Sequence, residues 1–169
     1  MLAYVVAQGR GAADRLLWDV AHTLQARGVA VAGAVQVNRD RAPDRKCDMD
    51  LHILSGADPV VRISQDLGRL SHGCRLDPAG LERAVGLVAA AVSRAPGLLI
   101  VNKFGKQELD GRGFCPVIAE ALGAGIPVLT AVNAGNLAGF EGWAGQLAHQ
   151  LPPDRDGLLA WCLSQAAAA

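Results

Sequence analysis

The chain has 169 residues, 51% of them apolar, and its sixteen basic and sixteen acidic side chains cancel to a formal net charge of zero. That length suits one domain, residues 1–169, with a sizeable core, and the apolar content excludes a disordered chain. A neutral chain with only 4% aromatic residues has no global field to gather nucleic acid or an anionic membrane, and few rings for stacking single strands.

Met1 to Ala7 is apolar but short, lacks a basic leader and runs into a Gly-rich turn, so it reads neither as a signal peptide nor as a membrane span. The expected compartment is the cytoplasm, where the scattered Cys47, Cys74, Cys115 and Cys162 are expected as free thiols. Leu2 to Ala7 reads as a buried parallel strand ending in the turn Gln8-Gly9-Arg10-Gly11. From Asp14, Leu16, Leu17, Val20, Ala21 and Leu24 recur at helical spacing up to Arg27-Gly28, and Val29 to Val37 is a second strand. Asn38 to Lys46 is polar, carries Pro43 and reads as an exposed loop. Asp48 to Leu54 alternates as a half-buried strand, and Val60 to Ser64 follows as its hairpin partner. Asp77-Pro78 opens a helix to about Arg94, with Asp as cap and Pro at the first helical position. Leu98 to Val101 is a strand, Gly111 to Leu122 a helix, Ile126 to Val132 a strand and Asp156 to Ala169 a last helix. Strands alternating with helices imply a three-layer α/β fold with a mostly parallel sheet. Ligands of such sheets sit at the carboxyl ends of the strands, which singles out Gln8 to Ala13 and Asn102 to Gly113.

The first of these stands where a P-loop would. A P-loop needs GxxxxGK[ST], in which backbone N–H groups curl round phosphates, a Lys reaches the outer phosphates and a hydroxyl holds magnesium. Here Gly9 and Gly11 remain, but no Lys, Ser or Thr occurs between Gln8 and Trp18. The N–H groups around Gly9, Gly11 and Ala12 can still receive an anion, with Arg10 adding charge; a plain strand-to-helix turn is the alternative. The second segment holds Lys103 and Lys106, two of the chain's three lysines, followed by Glu108, Asp110 and Arg112 among Gly105, Gly111 and Gly113. Charge of this density on a glycine-rich loop points to a binding site, with a solvated connection as the alternative.

The run Leu98 to Leu109, LLIVNKFGKQEL, resembles the strand and loop of small nucleoside-triphosphatases of thermophiles and animals, which read apolar strand, Asp-Glu, a hydrophobe, Gly-Lys-Met-Glu-Leu. With Gly111-Arg112-Gly113 and the run Gly73 to Pro78, it looks more closely like an uncharacterised bacterial domain family related to those enzymes, whose members often lie near molybdate-transport genes. That resemblance covers nearly the whole chain and implies a P-loop-like fold with a degenerate P-loop. The departures bear on chemistry: Asn102 and Lys103 stand where the enzymes carry the magnesium-binding Asp and the water-polarising Glu. Both changes move the site toward positive charge, as a bare oxyanion bound without magnesium would favour. The Asn-Lys run also resembles the guanine-reading motif of GTPases, but Gly105 replaces its Asp.

The expected function is therefore an oxyanion-binding accessory protein, with molybdate or tungstate as ligand. The anion would meet Gly9, Arg10, Gly11 and Ala12 on one side and Asn102, Lys103, Lys106 and Arg112 on the other. The alternatives are a nucleotide-binding protein or weak nucleoside-triphosphatase, whose magnesium nucleotide would draw on Asp48, Asp50 or Glu108, and a regulatory or scaffold subunit with a vestigial site. Binding is favoured over catalysis. The expected partners are a small oxyanion or nucleotide, neither nucleic acid nor membrane, with a homo-oligomer left open. Cys47, His52, His72 and Cys74 match no standard zinc spacing and read as ordinary residues rather than a metal site. Asp48 and Asp50 share one strand face, read as solvated, and Phe140 and Trp143 read as core or interface.

Overall fold

A computed structural model describes residues 1–9, 11–39, 47–55, 59–65 and 75–167. Its elements are β1 (Leu2–Val5), α1 (Ala12–Ala26), β2 (Val31–Arg39), β3 (Asp48–Leu54), β4 (Val60–Arg62), α2 (Pro78–Val92), β5 (Leu98–Phe104), α3 (Lys106–Leu109), α4 (Cys115–Gly123), β6 (Val128–Val132), α5 (Leu137–Ala144), β7 (Ala148–Leu151) and α6 (Arg155–Ala166). They form one seven-stranded sheet in the order β4-β3-β2-β5-β6-β1-β7. The five strands from β2 to β7 in that order run parallel, and β3 and β4 continue the sheet antiparallel beyond β2.

Helices cover both faces, so the central strands are buried on both sides and read as continuous apolar runs. On one face Leu17, Val20, Ala21 and Leu24 of α1 and Leu158, Leu159 and Cys162 of α6 pack on Val5, Val35, Ile100 and Leu129. On the other, α2, α4 and α5 pack Val88, Ile118 and Phe140 onto Ala34, Val101 and Val132. Burial pushes the Cys162 thiol up to about 12, so it stays neutral. Cys47, Cys115 and Cys162 are free thiols; Cys74 lies outside the described residues. No helix among the described residues is long and apolar enough to cross a membrane.

Local chemistry explains the element ends. Gly28 takes φ 79 after α1, where an L side chain would be strained. Asp77 caps α2 by accepting from the Ala79 N–H at 3.1 Å, with Pro78 at the first helical position. Gly33, inside β2 at φ 130, lies so close to β5 that a Cβ there would collide with the Ile100 carbonyl.

Several expectations need correction. β2 extends to Arg39, so Asn38 and Arg39 belong to a strand and not to the loop; residues 40–46 lie outside the described residues. β5 runs on to Phe104 because Phe104 pairs with Val132 of β6, which places Asn102 and Lys103 in the strand itself. The helix expected from Gly111 begins only at Cys115, as α4, because Gly111 and Gly113 take positive φ, and the short α3 precedes it where a loop was expected. α5 and β7 fall in a stretch where the sequence suggested no element. Asp48 and Asp50 are buried rather than solvated, because Arg39 and Arg62 close over them. Phe140 is core, while Trp143 packs its ring on Phe104 and remains partly exposed.

Candidate functional site

β1 delivers the chain to the first turn at the carboxyl edge of the sheet. Gly9 (φ 93) and Gly11 (φ 71) are both left-handed, and α1 starts at Ala12 with no side-chain cap. The Ala12 N–H donates to the Gly9 carbonyl at 3.3 Å, a long bond. Reading Gly11 as the last glycine of GxxxxGK[ST] puts Val6 at the first glycine and Ala12 and Ala13 at the Lys and hydroxyl positions. The fold is thus P-loop-NTPase-like with a degenerate P-loop. Arg10 lies outside the described residues.

Asp14, in the first turn of α1, organises what faces this turn. Its side chain is buried, and it accepts from Asn102 Nδ2 at 2.9 Å through Oδ1 and from Asn38 Nδ2 at 2.7 Å through Oδ2. Lys103 Nζ lies 3.0 Å from the same Oδ1. Asn102 Oδ1 in turn accepts from the Gln36 N–H at 2.9 Å, and Gln36 Nε2 donates to Asn38 Oδ1 at 2.7 Å. The ends of α1, β2 and β5 are therefore joined in one polar network. Sequence reasoning placed Asn102 and Lys103 here and missed Asp14, Gln36 and Asn38. A signal for Asp14 was available: it falls on the stripe of Leu17, Ala21 and Leu24, where a charged residue demands a partner.

The positive balance expected at this edge is reduced, because Asp14 returns one negative charge directly against Lys103. The network also bears on the magnesium nucleotide that a P-loop scaffold implies. The amide of Asn102 spends its oxygen on Gln36 and its nitrogen on Asp14, and Asp14, the carboxylate within reach, already holds Lys103. A divalent cation needs open oxygen donors, so the residues present do not fit it.

Beyond β5 the chain is stapled by Glu108. This buried carboxylate accepts from the Gly105 N–H at 2.9 Å and from the Phe114 N–H at 3.1 Å, clamping both ends of the segment. Glu108 thus serves the backbone and is not an open metal ligand. Lys106 begins α3 and lines a small cleft of about 250 Å³ with Lys103 and Asn102. Arg112 faces solvent and pairs with Asp110 at 3.0 Å. Asp48 and Asp50 are taken up by Arg62 and Arg39, and Arg62 beside Asp50 holds its carboxyl below the usual carboxylate range, against the effect of burial. His72 and Cys74 lie outside the described residues, and no cluster of metal-ligating side chains occurs among the described ones.

A larger cleft of about 590 Å³ opens on the other side of Asp14, between α1 and the β2–β3 ribbon. Trp18 of α1 and His52 of β3 line it.

Residues 2–161 match a family described as a protein of unknown function, DUF2478. The chain is also 36% identical over 149 residues to a molybdenum import ATP-binding protein, ModC 2, of Bradyrhizobium diazoefficiens; the match covers 88% of this chain and 16% of that protein. No solved structure matches the chain. With nearly its whole length matched by one family, and with a degenerate P-loop edge built from its own residues, the chain belongs to the DUF2478 family.

Proposed function

We propose that this chain is a binding protein rather than a phosphoryl-transfer enzyme, and that its ligand is a small oxyanion, molybdate or tungstate foremost. The observation that carries the reading is the Lys103–Asp14 pair beside an amide, Asn102, at the position where P-loop enzymes place a metal-binding acid. A dianion arriving at the turn competes with Asp14 for Lys103 and needs no metal to do so. In this reading the N–H groups of Gly9, Arg10, Gly11 and Ala12 and the Arg10 side chain receive the anion from one side. Lys103 and the Nδ2 hydrogen of Asn102 that Asp14 does not take meet it from the other, with Lys106 and Arg112 within the same segment adding charge. Charge-assisted hydrogen bonds contribute about 1.5–3 kcal/mol each. Micromolar affinity needs about 8 kcal/mol, so some four good bonds suffice if the edge is preorganised. The likeness to a protein named for molybdenum import supports molybdate as the first ligand to try.

The test is calorimetric titration and thermal unfolding with molybdate, tungstate, sulfate, phosphate and magnesium ATP or GTP. Saturation at a hundred times the dissociation constant adds about 2.7 kcal/mol and raises the midpoint by several degrees. Molybdate or tungstate should do so, and Arg10→Ala or Lys103→Ala should weaken binding about tenfold or more; undiminished affinity in both variants overturns the reading. Magnesium-dependent release of phosphate that is lost in Lys103→Ala would install a nucleoside-triphosphatase in its place. Absence of any shift would favour a scaffold role.

A further inference from the structure

We infer that the smaller cleft, of about 250 Å³, is a second binding site whose ligand is a small organic monocarboxylate with an apolar body, a single ring or a short branched chain. It opens on the face covered by α2 and α4, and the inference stands independently of the oxyanion reading. Size is the first argument. The volume falls below the roughly 300–1,000 Å³ of sites for drug-sized ligands and equals about eight waters of ~30 Å³ each. Such a space holds one ring or one branched chain.

The floor supplies the second argument. Leu51 of β3, Ile63 just beyond β4, Leu76, Leu81 of α2 and Phe114 at the start of α4 line the cleft, and all belong to or pack on the core of that face. Leu51, Ile63, Leu81 and Phe114 are buried and Leu76 partly so, which makes the cleft a gap reaching from the surface into the core. Water held against such side chains finds few partners, so an apolar group that displaces it gains affinity. A bare oxyanion brings no apolar surface to this floor and leaves that gain unused.

Charge at the rim is the third. The charged side chains that line the cleft are Lys103, Lys106 and Glu108. Lys103 Nζ is already held 3.0 Å from Asp14 Oδ1, and Glu108 spends one oxygen on the Gly105 N–H and the other on the Phe114 N–H. Lys106, the first residue of α3, is exposed, and among the described residues it forms no ion pair. One ammonium without an acid, set beside an apolar floor, matches a monoanionic head on an apolar body. The side-chain amide of Gln107 lines the same cleft and offers a neutral donor to the second carboxylate oxygen.

The experiment titrates the purified chain by calorimetry with benzoate and isovalerate, with molybdate, and with two controls: benzamide, a ring without the charge, and acetate, the charge without the body. Benzoate or isovalerate should bind at least tenfold more tightly than either control. Lys106→Gln should weaken the better acid several-fold and leave benzamide unchanged. Leu76→Trp, which fills the cleft from its partly buried wall, should abolish acid binding and leave molybdate affinity as it was; if that variant does not fold, Lys106→Gln, at an exposed position, serves alone. Failure of both acids to bind, controls that bind as tightly as the acids, or acid affinity indifferent to Lys106→Gln overturns the inference. Molybdate binding without acid binding overturns this inference and leaves the oxyanion reading standing. Acid binding without molybdate binding has the opposite meaning, and binding of neither overturns both.

Discussion

Among the described residues, the Gly9–Ala12 turn shows one long backbone bond, from the Ala12 N–H to the carbonyl of the left-handed Gly9, and no side-chain cap, whereas the segment from Gly105 to Phe114 is clamped at both ends by one buried carboxylate. Both lie at the carboxyl edge of the parallel strands, yet one is a turn of left-handed glycines without a cap and the other is a frame. The difference teaches where adaptation and where positioning reside. At the first turn the Ala12 N–H has only a long bond to give up to an anion, while Glu108 sets the course of the chain leaving β5 and thereby the place of Asn102 and Lys103.

Substitutions can break this comparison, beginning at the frame. Glu108→Ala strips the acceptor from the Gly105 and Phe114 N–H groups, each worth about 1–3 kcal/mol when left unpaired. A total loss of about 3 kcal/mol should lower the thermal midpoint by roughly 6–12 °C. Gly113→Ala should cost nearly as much, because a Cβ at φ 56 meets Glu108 Oε1, and both effects are read by calorimetric unfolding. If either variant unfolds as the parent does, the clamp is not what holds the segment.

Asp14→Ala comes next. It orphans the amides of Asn38 and Asn102 and frees Lys103, whose partly exposed ammonium water can solvate, so about 2 kcal/mol of stability should be lost. With its competing acid removed, Lys103 should bind molybdate more tightly, whereas Lys103→Ala should weaken it; this opposition of signs sharpens the contrast between holding the edge and binding at it. Gly9→Ala should cost only about 1 kcal/mol, the strain of its left-handed backbone, since nothing stands where the Cβ would be.

The antiparallel ribbon offers the smallest effect. Arg62 and Arg39 hold the Asp50 carboxyl below its ordinary range. Its folded value thus lies under its unfolded one, so its contribution is fully present above the usual carboxylate range and is lost as pH falls through the folded value. Stability measured between pH 6 and pH 2 should decline less steeply in Arg62→Leu than in the parent, and an unchanged slope would remove Asp50 from the acid response.

Much of this was written locally. Apolar runs marked β1, β2, β5 and β6, Gly28 and Asp77-Pro78 marked helix ends, and the missing Lys, Ser and Thr after Gly11 marked a degenerate P-loop, because each depends on neighbours a few residues away. The extension of β5 through Asn102 and Lys103 was not readable, since it follows from Phe104 pairing with Val132 on another strand. Nor was the burial of Asp48 and Asp50, which depends on arginines from two flanking strands. Sequence alone determined the layers, the degenerate turn and the pair of lysines at the end of β5 and the start of α3. The tertiary structure decided that Asp14, 88 residues before Asn102, would take its hydrogen bond and share its oxygen with Lys103. No local pattern encodes that meeting, because a buried carboxylate is satisfied only by whichever polar groups the sheet order brings beside it.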